Sequence, residues 1–170
     1  MLTAETTKLL QEQINKEFFS AYLYLEMANY YENEGLPGFA HWFLVQAQEE
    51  RDHAMLFRQY LINNNVCVHF TAIAEPDQVY DNPGAPLHAA LEHEHYVTAS
   101  INAIYAQAQK DHDFRTIQFL DWFVKEQGEE EKNANDNITN YELFGKDPKS
   151  LYMLNKDMLT RVYAPPSLVL

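Results

Sequence analysis

The sequence predicts an all-α fold: an up-down-down-up four-helix bundle with one long crossover and a short fifth helix near the C-terminal end. Three observations carry this. Apolar residues recur at helical spacing over four long stretches. Glycine and proline are few, at five and seven, and they cluster between those stretches. The joint between the second and third stretches is much longer than those after the first and third, as one connection running the length of a bundle requires.

The first helix is expected over about 4–34. Thr3, with Glu5 and Thr6 behind it, is its start signal, and Gly35-Leu36-Pro37-Gly38 closes it. Its apolar stripe runs Leu10, Ile14, Glu17, Ala21, Tyr24, Ala28. The second, about 38–65, carries Phe39, Phe43, Ala47, Glu50, His53 with Ala54, Phe57 and Leu61. Pro76, Pro83, Gly84 and Pro86 mark a loop over about 67–85. The third helix, about 85–111, carries Leu87, Leu91, Glu94, Val97, Ile101 and Ile104. The fourth, about 114–144, carries Ile117, Leu120, Val124, Gln127, Glu130 beside Glu131, Ala134 and Ile138. Gly145 and Pro148 close it. Asp147 then starts a fifth helix over about 148–161 with Leu151, Leu154, Met158 and Leu159, and Pro165-Pro166 opens an irregular tail. The long helices measure about 40–45 Å at 1.5 Å per residue. Short joints make two antiparallel hairpins, and the chain 1–170 reads as a single domain. Gly128 costs about 1 kcal/mol against Ala in mid-helix, and only a close backbone approach would give it a reason.

An apolar content of 46% marks a globular chain. Twelve Lys and Arg against 25 Asp and Glu, a net charge of −13, argue against nucleic acid or anionic membrane as partner. The charge permits cation binding without establishing it. One cysteine, Cys67, excludes an intrachain disulfide and any Cys-x-x-Cys motif. Met1-Leu2-Thr3-Ala4-Glu5 is neither basic nor apolar, so no signal peptide is expected, and no stretch is apolar enough to span a membrane. The chain reads as cytoplasmic.

All four long helices interrupt their inward stripe with polar groups near mid-length: Glu17, then Glu50 with His53, then Glu94, then Gln127 with Glu130. In an up-and-down bundle, midpoints meet. A lone buried carboxylate costs several kcal/mol and takes up a proton instead. Four converging carboxylates call for cations, and two ions of charge two or three supply the missing charge. Four carboxylates and one imidazole form a hard, oxygen-rich set suited to iron or manganese, with zinc as an opportunistic binder. Glu50 and His53 are about 60° apart around the helix axis, so both reach one inward site. Glu92-x-x-His95 repeats the spacing, but one helical phase cannot turn it inward together with Glu94. Glu92, His93 and His95 are therefore read as surface or supporting groups. Glu126, Glu129 and Glu130 stand one turn apart and could share a cation, although the run Glu129-Glu130-Glu131 alone reads as a solvated face.

Together, Glu17, Tyr24, Glu50-x-x-His53, Glu94 and Gln127-x-x-Glu130 resemble the ferroxidase centre of ferritin, specifically the bacterial non-haem type, and the likeness covers essentially the whole chain. The resemblance implies a ferritin-like bundle with two adjoining iron sites. Glu17, Glu50 and His53 would hold the first iron. Glu94 and Glu130 would hold the second, with Glu50 bridging and Gln127 close by. It also implies a third iron beside the pair, at Glu49, Glu126 and Glu129 with Glu130 shared. Tyr24, and Trp122 nearby, would supply an electron or orient a ligand, if they are not ordinary packing.

Two features separate the chain from related bundles. A bacterioferritin would repeat Glu-x-x-His on the fourth helix and offer a haem methionine where Asp52 stands, so no haem is expected. A rubrerythrin would add a Cys-x-x-Cys module. The implied function is ferrous iron oxidation by dioxygen or hydrogen peroxide. The ferric mineral would be stored inside a homo-oligomeric shell of twenty-four subunits, a 24-mer with the fifth helix at its fourfold axes. A non-storing di-iron peroxidase or oxidase of the rubrerythrin or bacterioferritin type is the alternative, as is a metal-binding bundle without catalysis.

Overall fold

A computed structural model of the chain describes residues 2–170. It contains α1 (Ala4–Asn33), α2 (Pro37–Asn63), α3 (Ala85–Lys110), α4 (Phe114–Phe144) and α5 (Pro148–Met158), and no strand among the described residues. The first four match expectation to within one or two residues. The fifth stops at Met158, short of 161, where Leu159 is exposed rather than packed.

The starts of α1, α4 and α5 are built by short polar side chains. Thr3 Oγ1 accepts from the Thr6 N–H at 3.2 Å, Asp113 Oδ1 from Thr116 at 3.2 Å and Asp147 Oδ2 from Ser150 at 2.8 Å. The α2 start has no such local cap. Asn155 of α5 supplies it from afar, its Oδ1 accepting from the N–H of Gly38 at 2.7 Å and of Phe39 at 3.3 Å. Gly38 has to be glycine for this: a Cβ there would stand 1.6 Å from the Asn155 carbonyl oxygen. Gly35, at φ 75, makes the left-handed turn between α1 and α2.

Hydrogen bonds between helix ends fix the direction of each helix. Thr3 and Thr6, opening α1, donate to Asp111 at the close of α3 at 2.5 and 2.7 Å. Tyr31, closing α1, donates to the Pro83 carbonyl ahead of α3 at 2.6 Å. Tyr60, closing α2, lies 2.9 Å from Thr116 at the start of α4. Relative to α1, α2 and α3 run down and α4 runs up. The crossover follows α1, where Asn15 binds Thr71 and Ala72, Gln11 binds Cys67 and His69, and Phe18 meets Phe70 edge-on at 6.0 Å.

The apolar core is divided. One cluster, around Leu23, Met27, Tyr31, Phe39 and Phe43, fills the end where α5 docks. The other, around Leu10, Ile14, Phe57, Leu61, Ile101, Phe119 and Phe123, fills the opposite end. A polar layer lies between them. On α4 the inward stripe differs from expectation by one position: Phe119 and Phe123 are buried, whereas Val124 is 43% exposed and Ile117 half-buried. The larger rings take the core, and the Phe123 ring packs against Phe57, tilted, at 4.3 Å. Gly128 is exposed with open space where a Cβ would stand, so among the described residues no neighbouring backbone packs against it. No described helix is long and apolar enough to cross a membrane.

Candidate metal centre

Each long helix contributes to the polar layer at its middle. Glu17 of α1 is 1% exposed, Glu50 and His53 of α2 are each 2%, Glu94 of α3 is 3%, and Gln127 and Glu130 of α4 are 4% and 5%. Every residue expected at the paired site is thus buried. Glu17, Glu50 and His53 each offer one ligand atom, and these atoms lie within 4.8 Å of one another. Glu130 is joined to that group through the Gln46 amide, and Glu94 stands near enough for the charges of Glu50 and Glu17 to raise it.

Three glutamines orient the four carboxylates. Gln13 Nε2 donates to Glu17 Oε1 at 2.8 Å. Gln46 Nε2 donates to Glu50 Oε1 at 3.2 Å and to Glu130 Oε2 at 2.7 Å. Gln127 Nε2 donates to Glu94 Oε2 at 3.0 Å, and the Tyr24 hydroxyl donates to Glu94 Oε1. Behind Gln13, Ser100 Oγ donates to its carbonyl at 2.6 Å and accepts from Lys16 Nζ at 2.6 Å.

The electrostatics follow from crowding like charges in a dry layer. Burial, reinforced by Glu50, pushes Glu17 up to about 8 from its ordinary 4.5. Burial does the same to Glu94, again to about 8, and lifts Glu130 well above the usual range. Glu50 is the exception: burial opposes its charge, but His53 beside it at 3.3 Å holds its carboxyl below the ordinary value. His53 in turn is raised to about 10, the attraction of Glu50 outweighing burial. Protons therefore neutralise the centre in the absence of a cation. The same oxygen-rich donors, once deprotonated, suit one or two hard cations.

The remaining expected residues are distributed differently. Glu126, half-buried, reaches within 3.9 Å of His53 Nε2. Glu49 is paired with the Arg161 guanidinium, which lies 4.0 Å over the Trp42 ring. Glu129 is exposed and pairs with Lys125 at 3.1 Å. Two of these three carboxylates are thus held by basic side chains of the same chain. Tyr24 is buried against Phe43 and Glu94, and the Trp122 ring stands 5.6 Å from His53. Trp122 Nε1 donates to Ser167 of the tail at 3.0 Å. Glu92 and His95 are exposed, whereas His93 is buried, 2.7 Å from Ser20 Oγ and edge-on to Tyr24.

Gln13, Gln46 and Ser100 are participants that sequence reasoning missed. Gln13 and Gln46 did leave a signal, each standing four residues before a buried glutamate on the same helical face. Ser100 left none.

Comparison with known proteins identifies relatives of the whole chain. The family model described as a ferritin-like domain matches residues 7–144. A probable bacterial non-heme ferritin-like protein of Haemophilus influenzae is 32% identical over 158 residues, 93% of this chain and 96% of that one. A bacterial non-heme ferritin of Staphylococcus aureus is 32% identical over 163 residues, 96% of this chain and 98% of its own. Among solved structures, the open-pore ferritin of the hyperthermophilic archaeon Archaeoglobus fulgidus superposes with a TM-score of 0.93 at 38% identity. That match covers 95% of this chain and 100% of the other.

Proposed function

The chain belongs to the ferritin family, and on that premise we propose that it is an iron-storage protein that oxidises Fe(II) at the buried centre. The observation that carries this is the Glu17–Glu50–His53 group, with ligand atoms inside 4.8 Å and Glu94 and Glu130 alongside.

Iron is the substrate. Glu17, Glu50 and His53 hold one Fe(II), Glu94 and Glu130 a second, with Glu50 bridging and Gln127 steadying Glu94. Each ion gives up one electron. The pair supplies two, enough to take dioxygen to peroxide or hydrogen peroxide to water without releasing a one-electron oxygen radical. Fe(III) is the harder acid, so the carboxylates favour the product. Tyr24 positions Glu94 through its hydroxyl. The ferric product then passes to a mineral enclosed by a shell of like subunits, a 24-mer. The exposed Phe144, Tyr152, Met153 and Leu159 on and beside α5 support contacts between copies.

Anaerobic loading with ferrous salt, followed by air, tests the activity. Rapid ferric absorbance is expected, and it should vanish when Glu50 and His53 are both replaced by Ala. Size-exclusion chromatography tests storage: a small oligomer would favour the non-storing peroxidase or oxidase instead.

A further inference from the structure

Gln13 and Gln46 play parallel parts, each donating its amide N–H to the glutamate four residues ahead. Their carbonyl ends differ. Gln13 Oε1 accepts from Ser100 at 2.6 Å. Gln46 Oε1 has no partner, alone among the buried side-chain polar atoms of the described residues, and Gln46 is 1% exposed. A bare buried carbonyl costs about 1–3 kcal/mol, and such groups are almost always satisfied. Turning the amide over does not help. It would set the carbonyl against the charged Glu50 Oε1, to which the nitrogen now donates at 3.2 Å, and leave the amide N–H bare in its place. The bare oxygen is one amide width, about 2.2 Å, from a nitrogen that touches both carboxylates.

We propose that Gln46 Oε1 accepts a hydrogen bond from a water molecule carried by a cation at Glu50 and Glu130. Gln46 is then a positioning residue: one end of its amide orients two carboxylates, and the other end fixes solvent at the cation. This rests on the reading of the centre as a cation site. A cation-bound water is a stronger donor than bulk water, so a neutral carbonyl is a sufficient acceptor. An amide serves both needs without adding charge to a layer already crowded with carboxylates. A hydrocarbon side chain serves neither.

The test uses the whole protein loaded with Zn(II), which does not change oxidation state, and with Co(II), whose visible spectrum reports coordination. In the zinc-loaded crystal, ordered solvent is expected bonded to the metal and within hydrogen-bond distance of Gln46 Oε1. Metal present with that oxygen dry, or with that oxygen itself ligating the metal, overturns the proposal while the centre stands. Absence of zinc at Glu50 refutes the cation reading and the proposal with it. Gln46→Met keeps the length and removes both amide ends. It is expected to weaken Co(II) binding about 10–100-fold and to alter the cobalt spectrum. An unchanged affinity and spectrum in that variant also overturns the proposal. The crystal of the unaltered protein decides the matter even if the variant fails to fold.

Discussion

His53 Nδ1 lies 3.3 Å from Glu50 Oε2, and this pair carries the charge of a centre in which Glu17 and Glu94 keep their protons up to about pH 8. The pairing gives the metal-free protein a definite pH dependence. Glu17 and Glu94 are raised from 4.5 to about 8 on folding, and His53 from 6.5 to about 10. Each raised group contributes stability that is full below its ordinary value and is lost as pH climbs to the folded one. Glu50, shifted down, acts with the opposite sign and only below its ordinary value. The melting temperature without metal is therefore expected to fall between pH 6 and pH 9. Saturating Zn(II) should flatten or reverse that slope, because the ligands bind deprotonated. Calorimetry across the range checks both.

Glu17 sits among carboxylates that resist sharing its layer, so neutralising it should help the fold and harm the site. Glu17→Gln is expected to stabilise the metal-free protein at pH 9 by about 1–3 kcal/mol. The same change should weaken divalent-metal affinity at least 10-fold. Chemical denaturation and calorimetric titration read the two effects on one sample.

Gly38 and Asn155 lock α5 onto the start of α2. Asn155→Ala should cost about 1 kcal/mol through the lost cap. Gly38→Ala should cost more, since its Cβ would collide with the Asn155 backbone. Limited proteolysis between α4 and α5 should quicken in both variants. Resistance equal to the parent chain in Gly38→Ala would contradict the docking described.

Arg161 already occupies Glu49 as an internal cation. Arg161→Ala should free that carboxylate and detach the tail from Trp42, where Arg161 also donates to the carbonyl at 3.2 Å. The variant is expected to bind one more tight Zn(II) per chain than the parent, as equilibrium dialysis would count.

The helices and the centre were legible in the sequence because both depend on local periodicity. Glu17, Glu50, Glu94 and Glu130 each break an apolar stripe at mid-helix, and stripes are read one helix at a time. Partners set by how helices dock were not legible. Ser100 reaches Gln13 only through the register of α3 against α1, and Asn155 caps α2 from 117 residues away. On α4, Phe123 and Val124 both fit the apolar stripe, and ring size decided which turned inward. The Arg161 pairing depends on an irregular tail, for which no periodicity speaks. His93 takes the supporting place of the two the sequence leaves open, because α1 brings Ser20 and Tyr24 to it.

The most direct measurement is anomalous scattering at the iron edge from crystals soaked anaerobically in ferrous salt. Two iron peaks are expected, one within ligand distance of Glu17, Glu50 and His53 and one near Glu94 and Glu130, with Glu50 between them. Iron bound elsewhere, with no peak at Glu50, would contradict the account.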